Sequence, residues 1–100
     1  MAQLDLYRVR GEGGYALEIQ ADLLSGLKTA AVVPLRPGSS SPGALDRLNP
    51  IFTIDGIDYV MVTQFIATIP RKELGPPVGS LNRAHYFDVI NALDMLISGS

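Results

Sequence analysis

The chain has no cysteine and no tryptophan, and only one histidine among its 100 residues. Without cysteine, neither a disulfide nor a thiolate zinc site can form, and the cytoplasm is the expected compartment. With His85 as the sole imidazole, a metal site would have to be built from carboxylates alone, so neither metal nor cofactor is expected. Charge is sparse too. Only 18% of the residues are charged and the formal balance is −2, which argues against a surface made to wrap nucleic acid. No apolar run is long enough to span a bilayer, and no basic segment followed by an apolar one stands at the start. No membrane role is expected.

Hydrophobic residues make up 47% of the sequence, which is ordinary globular material and enough for one modest core. One domain over residues 1–100 is the expectation. An apolar surplus in so small a domain also points to a subunit interface, and hence to a homodimer.

Most of the chain reads as short strands. Leu4, Leu6, Tyr7 and Val9 mark a first strand, Gly11-Glu12-Gly13-Gly14 a turn, and Tyr15 to Gln20 the returning arm. The turn lacks the Lys-Ser/Thr and the following helix of a phosphate loop. Asp22 to Gly26 reads as a short connection. Thr29 to Leu35 is nearly continuous apolar sequence, expected to be buried on both faces. Pro34 cannot donate to a ladder, which predicts an edge or a bulge there. Arg36 to Gly43 reads as a surface loop. Ile51 to Ile54 and Asp58 to Phe65 flank Asp55-Gly56, a strong hairpin signal. Ile66 to Pro70 extends the sheet, and Arg71 to Gly75 leads to a Pro-Pro corner.

The last quarter reads as one helix. Tyr86, Val89, Ile90, Leu93, Leu96 and Ile97 share a broad side that predicts a buried stripe, with Phe87 at its edge. Asn82 or Ser80 suits the N-cap and Gly99 the position after the last turn. Met95 falls on the polar side with Asp88 and Asn91. Five or six strands followed by one helix predict a mainly β protein, a bent barrel-like sheet with a C-terminal α-helix packed on it.

No catalytic constellation assembles from these residues. Asp55 and Asp58 flank a turn and look solvated, unlike a general acid–base pair. Thr29, Thr53, Thr63 and Thr68 have no activating base beside them in sequence. His85 stands in the first helical turn, where a surface or capping role is ordinary.

Several pieces, taken in order and spacing, resemble the CcdB family of bacterial toxins over nearly the whole chain. They are Ile19 to Leu24, Val32-Val33-Pro34-Leu35, Leu48-Asn49-Pro50-Ile51, Met61-Val62-Thr63, Ala67-Thr68-Ile69-Pro70 and Asp88 to Leu93. The resemblance implies an SH3-like β-barrel with a C-terminal helix, working as a homodimer. It implies the toxin half of a type II toxin–antitoxin pair, which binds the A subunit of DNA gyrase and traps its cleavage complex. A CcdA-like antitoxin neutralises such toxins with a disordered tail that folds on binding. The pair together represses its own operon, so operator DNA is met only through the antitoxin complex. The implied partner-binding positions are Asn91, Met95, Ser98, Gly99 and Ser100.

The family's gyrase-poisoning members end in Trp-Gly-Ile, where this chain has Ser98-Gly99-Ser100. The glycine stands, and both apolar anchors are absent. Loss of a buried aromatic hot spot costs about 2–4 kcal/mol. Three outcomes stay open: gyrase binding through Met95 and Asn91, a different target, or a non-toxic homologue that binds only an antitoxin. A separate reading is an endoribonuclease, because the MazF and Kid toxins share the barrel and helix. That reading would rest on Arg36, Arg71 and His85.

Overall fold

Strand β3, Thr29–Pro37, has the β-branched and apolar content of a strand covered on both sides, and three partners in the sheet use it as a common backbone. Ala30 and Val32 are buried on one face, and Val33 and Leu35 on the other. The protein is described by a computed structural model covering residues 2–9, 13–38 and 47–99. Around β3 lie β1 (Asp5–Arg8), β2 (Tyr15–Glu18), β4 (Ile51–Ile54), β5 (Ile57–Met61), β6 (Ala67–Pro70) and β7 (Gly79–Ser80). The sheet order is β4-β5-β3-β2-β1-β7, with β6 joined to β3 beside that path. Every pairing is antiparallel.

Pro34 lies in the middle of the sheet, not at the edge that its missing N–H suggested. On one side of β3, residues 29–32 pair with β6 and residues 35–37 pair with β5. Pro34 falls in the gap between those two ladders, where its carbonyl accepts from the Val62 N–H at 2.9 Å. The proline is tolerated because no ladder bond is required of its nitrogen there.

That exchange of partners also shortens the predicted strand 58–65. β5 ends at Met61, Val62 turns to Pro34, and Thr63–Phe65 form a 3-10 turn. The buried Thr63 hydroxyl donates to the Leu48 carbonyl, and Asn49 donates to the Met61 carbonyl at 3.0 Å and to Gln64 Oε1 at 2.8 Å. The hairpin at Asp55-Gly56 forms as expected. Both residues have positive φ, 52° and 80°, as a two-residue type I′ turn requires. Residues 39–43 of the expected serine-rich loop lie outside the described residues, as do Gly11 and Glu12.

The final segment is less uniform than one helix. β7 pairs with β1, Arg83–His85 form a 3-10 turn, and the α-helix proper (α2) is Tyr86–Ser98. A short helix, α1 (Arg71–Leu74), precedes the Pro-Pro corner. Asn82 caps as expected, its Oδ1 accepting from the Ala84 N–H at 2.9 Å. Gly99 closes α2 at φ 73°, its N–H reaching the Met95 carbonyl at 3.0 Å.

The main core joins one sheet face to α2. Leu6, Leu17, Val33, Leu35, Phe52 and Met61 pack with Val89 and Ala92 of the helix. Each fully enclosed Leu or Phe side chain contributes about 1.5–3 kcal/mol. The buried seam of α2 is narrower than the predicted stripe. Ile97, expected inside, is 83% exposed, and Phe87 is 73% exposed. At about 100° per residue, Ile97 sits roughly 80° round the axis from Val89, past the edge of the sheet contact.

Among the described glycines, Gly14 is the one with neighbouring backbone where a side chain would begin. A Cβ there would lie 2.3 Å from the Leu35 carbonyl oxygen. Gly14→Ala is expected to cost about 1–3 kcal/mol through forced displacement of β3, read as a lower urea midpoint with an unchanged slope. Wild-type stability in that variant would show that β2 and β3 are not held at this spacing.

Candidate partner-binding surface

Helical spacing places Asn91, Met95 and Ser98 on one ridge of α2. Asn91 and Ser98 are exposed and Met95 is half-buried. The Ser98 hydroxyl donates back to the Asp94 carbonyl at 2.8 Å, so it helps to finish the helix. Gly99 turns the chain at the end of that ridge. Ser100 lies outside the described residues. The ridge offers little apolar area of its own. The larger apolar groups on this helix are the exposed Phe87 and Ile97.

A second surface was not legible as such in the sequence. Asp22–Leu24 form a 3-10 turn rather than a plain connection, and this turn displays leucines. Leu23 is 93% exposed, Leu24 45% and Leu27 50%. Solvated apolar residues on a loose loop would be unremarkable, but this segment is held at many points. The Asp22 carboxylate accepts from the Gln3 N–H at 2.7 Å. Gln20 donates to the Leu24 and Thr29 carbonyls at 3.0 and 3.2 Å, and its own carbonyl accepts from the Ala31 N–H. Arg71 Nε donates to the Leu27 carbonyl at 3.0 Å, and the Arg71 N–H to the Lys28 carbonyl at 2.8 Å. An apolar cluster fixed in water is pre-organised to be covered. The only sequence signal was the Asp22-Leu23-Leu24 run itself, read there as a link between strands.

The same arginine anchors a buried polar group on the second face of the sheet. Arg71 grips Glu18 with both Nη atoms, at 3.3 Å to Oε1 and 3.0 Å to Oε2. Glu18 is 1% exposed, and the Tyr7 hydroxyl donates to its Oε1 at 2.8 Å. Burial, and then the neighbouring Glu18, push the Tyr7 phenol up to about 12.

The residues of the ribonuclease reading do not meet. Arg71 is committed to Glu18 and Leu27. Arg36 stands at the far end of β3, its guanidinium 5.3 Å from the Phe65 ring centroid. His85 stacks on Phe52 of β4 at 4.9 Å, with Asp88 3.9 Å from its Nδ1. Among the described residues no group of three or more His, Asp or Glu side chains could hold a metal ion, and no helix is long and apolar enough to cross a membrane. Asp58 accepts from the Thr53 hydroxyl at 2.6 Å across its hairpin, and Asp55 is exposed in the turn.

A family model described as CcdB protein matches residues 3–99. Among solved structures, one described as an endoribonuclease from Mycobacterial species superposes with a TM-score of 0.75 at 16% identity. The superposition covers 95% of this chain and 88% of that one. At that identity the likeness is one of fold. No curated protein matches the chain in sequence.

Tyr7 gives the polar cluster a signature in pH. Its folded value, raised above the ordinary 10, means that the native state holds the phenolic proton more tightly than the unfolded chain does. The stabilisation is fully present below about pH 10 and is lost as pH rises through about 12. Urea midpoints measured between pH 9 and 12 should fall with pH in wild type and fall less in Tyr7→Phe. Parallel profiles would place Tyr7 in contact with solvent.

Proposed function

Because the chain belongs to the CcdB family, the toxins of toxin–antitoxin pairs, we propose that it acts by holding the A subunit of DNA gyrase and converts no substrate itself. The observation that supports this most is the clamped platform of Leu23, Leu24 and Leu27. A rigid apolar surface with no acid–base pair beside it fits recognition of a macromolecule better than chemistry on one. In this reading the toxin favours one conformational state of gyrase, the one in which DNA is cleaved.

The platform also bears on the missing Trp-Gly-Ile end. Ser98 and Gly99 bring no aromatic anchor, so in this reading the leucines carry the apolar contact instead. The protein works as a homodimer in the cytoplasm and is neutralised by a CcdA-like antitoxin. The ribonuclease alternative requires a basic groove joining Arg36, Arg71 and His85, and their separate engagements weigh against it.

Gyrase holoenzyme, supercoiled plasmid and the purified protein provide the test. Linear DNA should accumulate after detergent and protease treatment. Leu23→Asp should reduce that yield about tenfold or more, as loss of a central contact does. The double change Ser98→Trp with Ser100→Ile should strengthen gyrase A binding by a similar factor. No linear DNA in wild type, together with cutting of a model transcript that disappears in Arg36→Ala, would overturn the reading.

A further inference from the structure

Lys28 and Lys72 are the only lysines in the chain, and both line one cavity of about 760 Å³. It lies where β3 begins and β6 ends. The antiparallel register of those strands explains the meeting. Thr29 stands opposite Pro70, so one step further places Lys28 beside Arg71, whose N–H donates to the Lys28 carbonyl at 2.8 Å. Lys72 comes next, in the first turn of α1. The Arg71 Nε bond to the Leu27 carbonyl, at 3.0 Å, fixes the adjoining wall.

The lining combines positive charge with hydrocarbon. Leu27, half exposed, and the Pro70 ring supply the apolar part, and Ser25 and Thr29 add hydroxyl groups. No aspartate or glutamate is among the described lining residues. Arg71 also borders the cavity, but Glu18 already matches its charge. Neither lysine has a carboxylate partner among the described residues. In a chain whose balance is −2, two uncompensated ammonium groups therefore share one space.

From these features we propose that the cavity binds a small phosphate monoester with a flat apolar body, its phosphate held by Lys28 and Lys72 and its ring against Leu27 and Pro70. A phosphate ester carries about −1.5 to −2 charges at pH 7, which two ammonium groups balance. Lysine binds phosphate as a point charge, whereas the planar fork that suits a carboxylate belongs to arginine. The one fork at this cavity is taken by Glu18. The Ser25 and Thr29 hydroxyls are further donors for the phosphate oxygens. Small-molecule sites span about 300–1,000 Å³, and this cavity falls within that range. The proposal rests on the cavity alone and does not depend on the gyrase reading.

The probe is phenyl phosphate, titrated into isotope-labelled protein and followed by amide chemical shifts. Saturable changes are expected at residues 25–29, 71 and 72, weakening at high salt, which screens surface charge. Inorganic phosphate should move the same amides with about tenfold lower affinity, because it lacks the ring. Benzoate, a planar monoanion, should bind more weakly than phenyl phosphate by at least about the same factor. Lys28→Gln and Lys72→Gln, both at exposed positions, should each weaken phenyl phosphate about tenfold with the melting temperature unchanged. Leu27→Ser should weaken phenyl phosphate and leave inorganic phosphate as it was. Equal binding of benzoate and phenyl phosphate, shifts confined to α2 or to β1 and β2, or no saturation at millimolar phenyl phosphate would each overturn the proposal. So would tighter binding of a 5′-phosphorylated oligonucleotide, which would assign the cavity to the end of a polymer.

Discussion

The bidentate contact between Arg71 and Glu18 holds together parts of the molecule that the sheet alone does not join. Glu18 sits on β2 with its carboxylate out of water, which is costly for an unpaired charge. Arg71 neutralises it from the first turn of α1, and Tyr7 of β1 donates the third hydrogen bond. Removing one member of such a pair costs about 3–5 kcal/mol, because the other charge is left buried. The remaining donors of Arg71 reach the Leu27 carbonyl and, through its backbone N–H, the Lys28 carbonyl. One side chain thus fixes the sheet, the short helix and the leucine-bearing segment in a single arrangement.

The two faces of the sheet divide the work. One face buries Leu6, Leu17, Val33, Leu35 and Phe52 against α2 and supplies most of the apolar stabilisation. The other is closed near one end of β3 by the Arg71 cluster and left open elsewhere as a groove. β3 belongs to both, and its exchange of partners at Pro34 lets one strand serve β6 and β5 without a ladder bond from the proline nitrogen. Function, in this account, is carried by surfaces that the core leaves uncovered. Because the backbone that carries Leu23 is already held, binding there loses little further backbone freedom. A flexible loop of the same composition would lose more.

Local chemistry made much of the fold legible. Asp55-Gly56 specified its hairpin, Asn82 and Gly99 the ends of the helical segment, and the run 29–35 a strand covered on both faces. These features depend on neighbours in sequence. The Glu18–Arg71 contact spans 53 positions, and nothing in Tyr15 to Gln20 marks one carboxylate as buried. The 3-10 turn at Asp22–Leu24 was hidden for a related reason, since its hold comes from Gln3, Gln20 and Arg71. Ile97 misled because a helical wheel reports which residues share a side and not how wide the opposing sheet is. Met95 shares a side of the helix with Asn91, as the wheel indicated, but Ile97 was read as inward-facing and Phe87 as the edge of the buried stripe, and both are exposed.

An exposed surface that is nevertheless rigid is the central physical claim, and amide hydrogen exchange measures it. The N–H groups of Leu24, Ser25 and Leu27 donate to Ala21, Asp22 and Leu24 carbonyls, and in the native protein they should exchange far more slowly than in an unstructured peptide. Arg71→Lys keeps the charge but loses the planar fork that reaches Glu18 and Leu27 together. It should release those three amides while the amides of β2 and β3 stay protected. If the three exchange at unstructured rates in the wild-type protein, the leucine platform is not pre-organised and the account is contradicted.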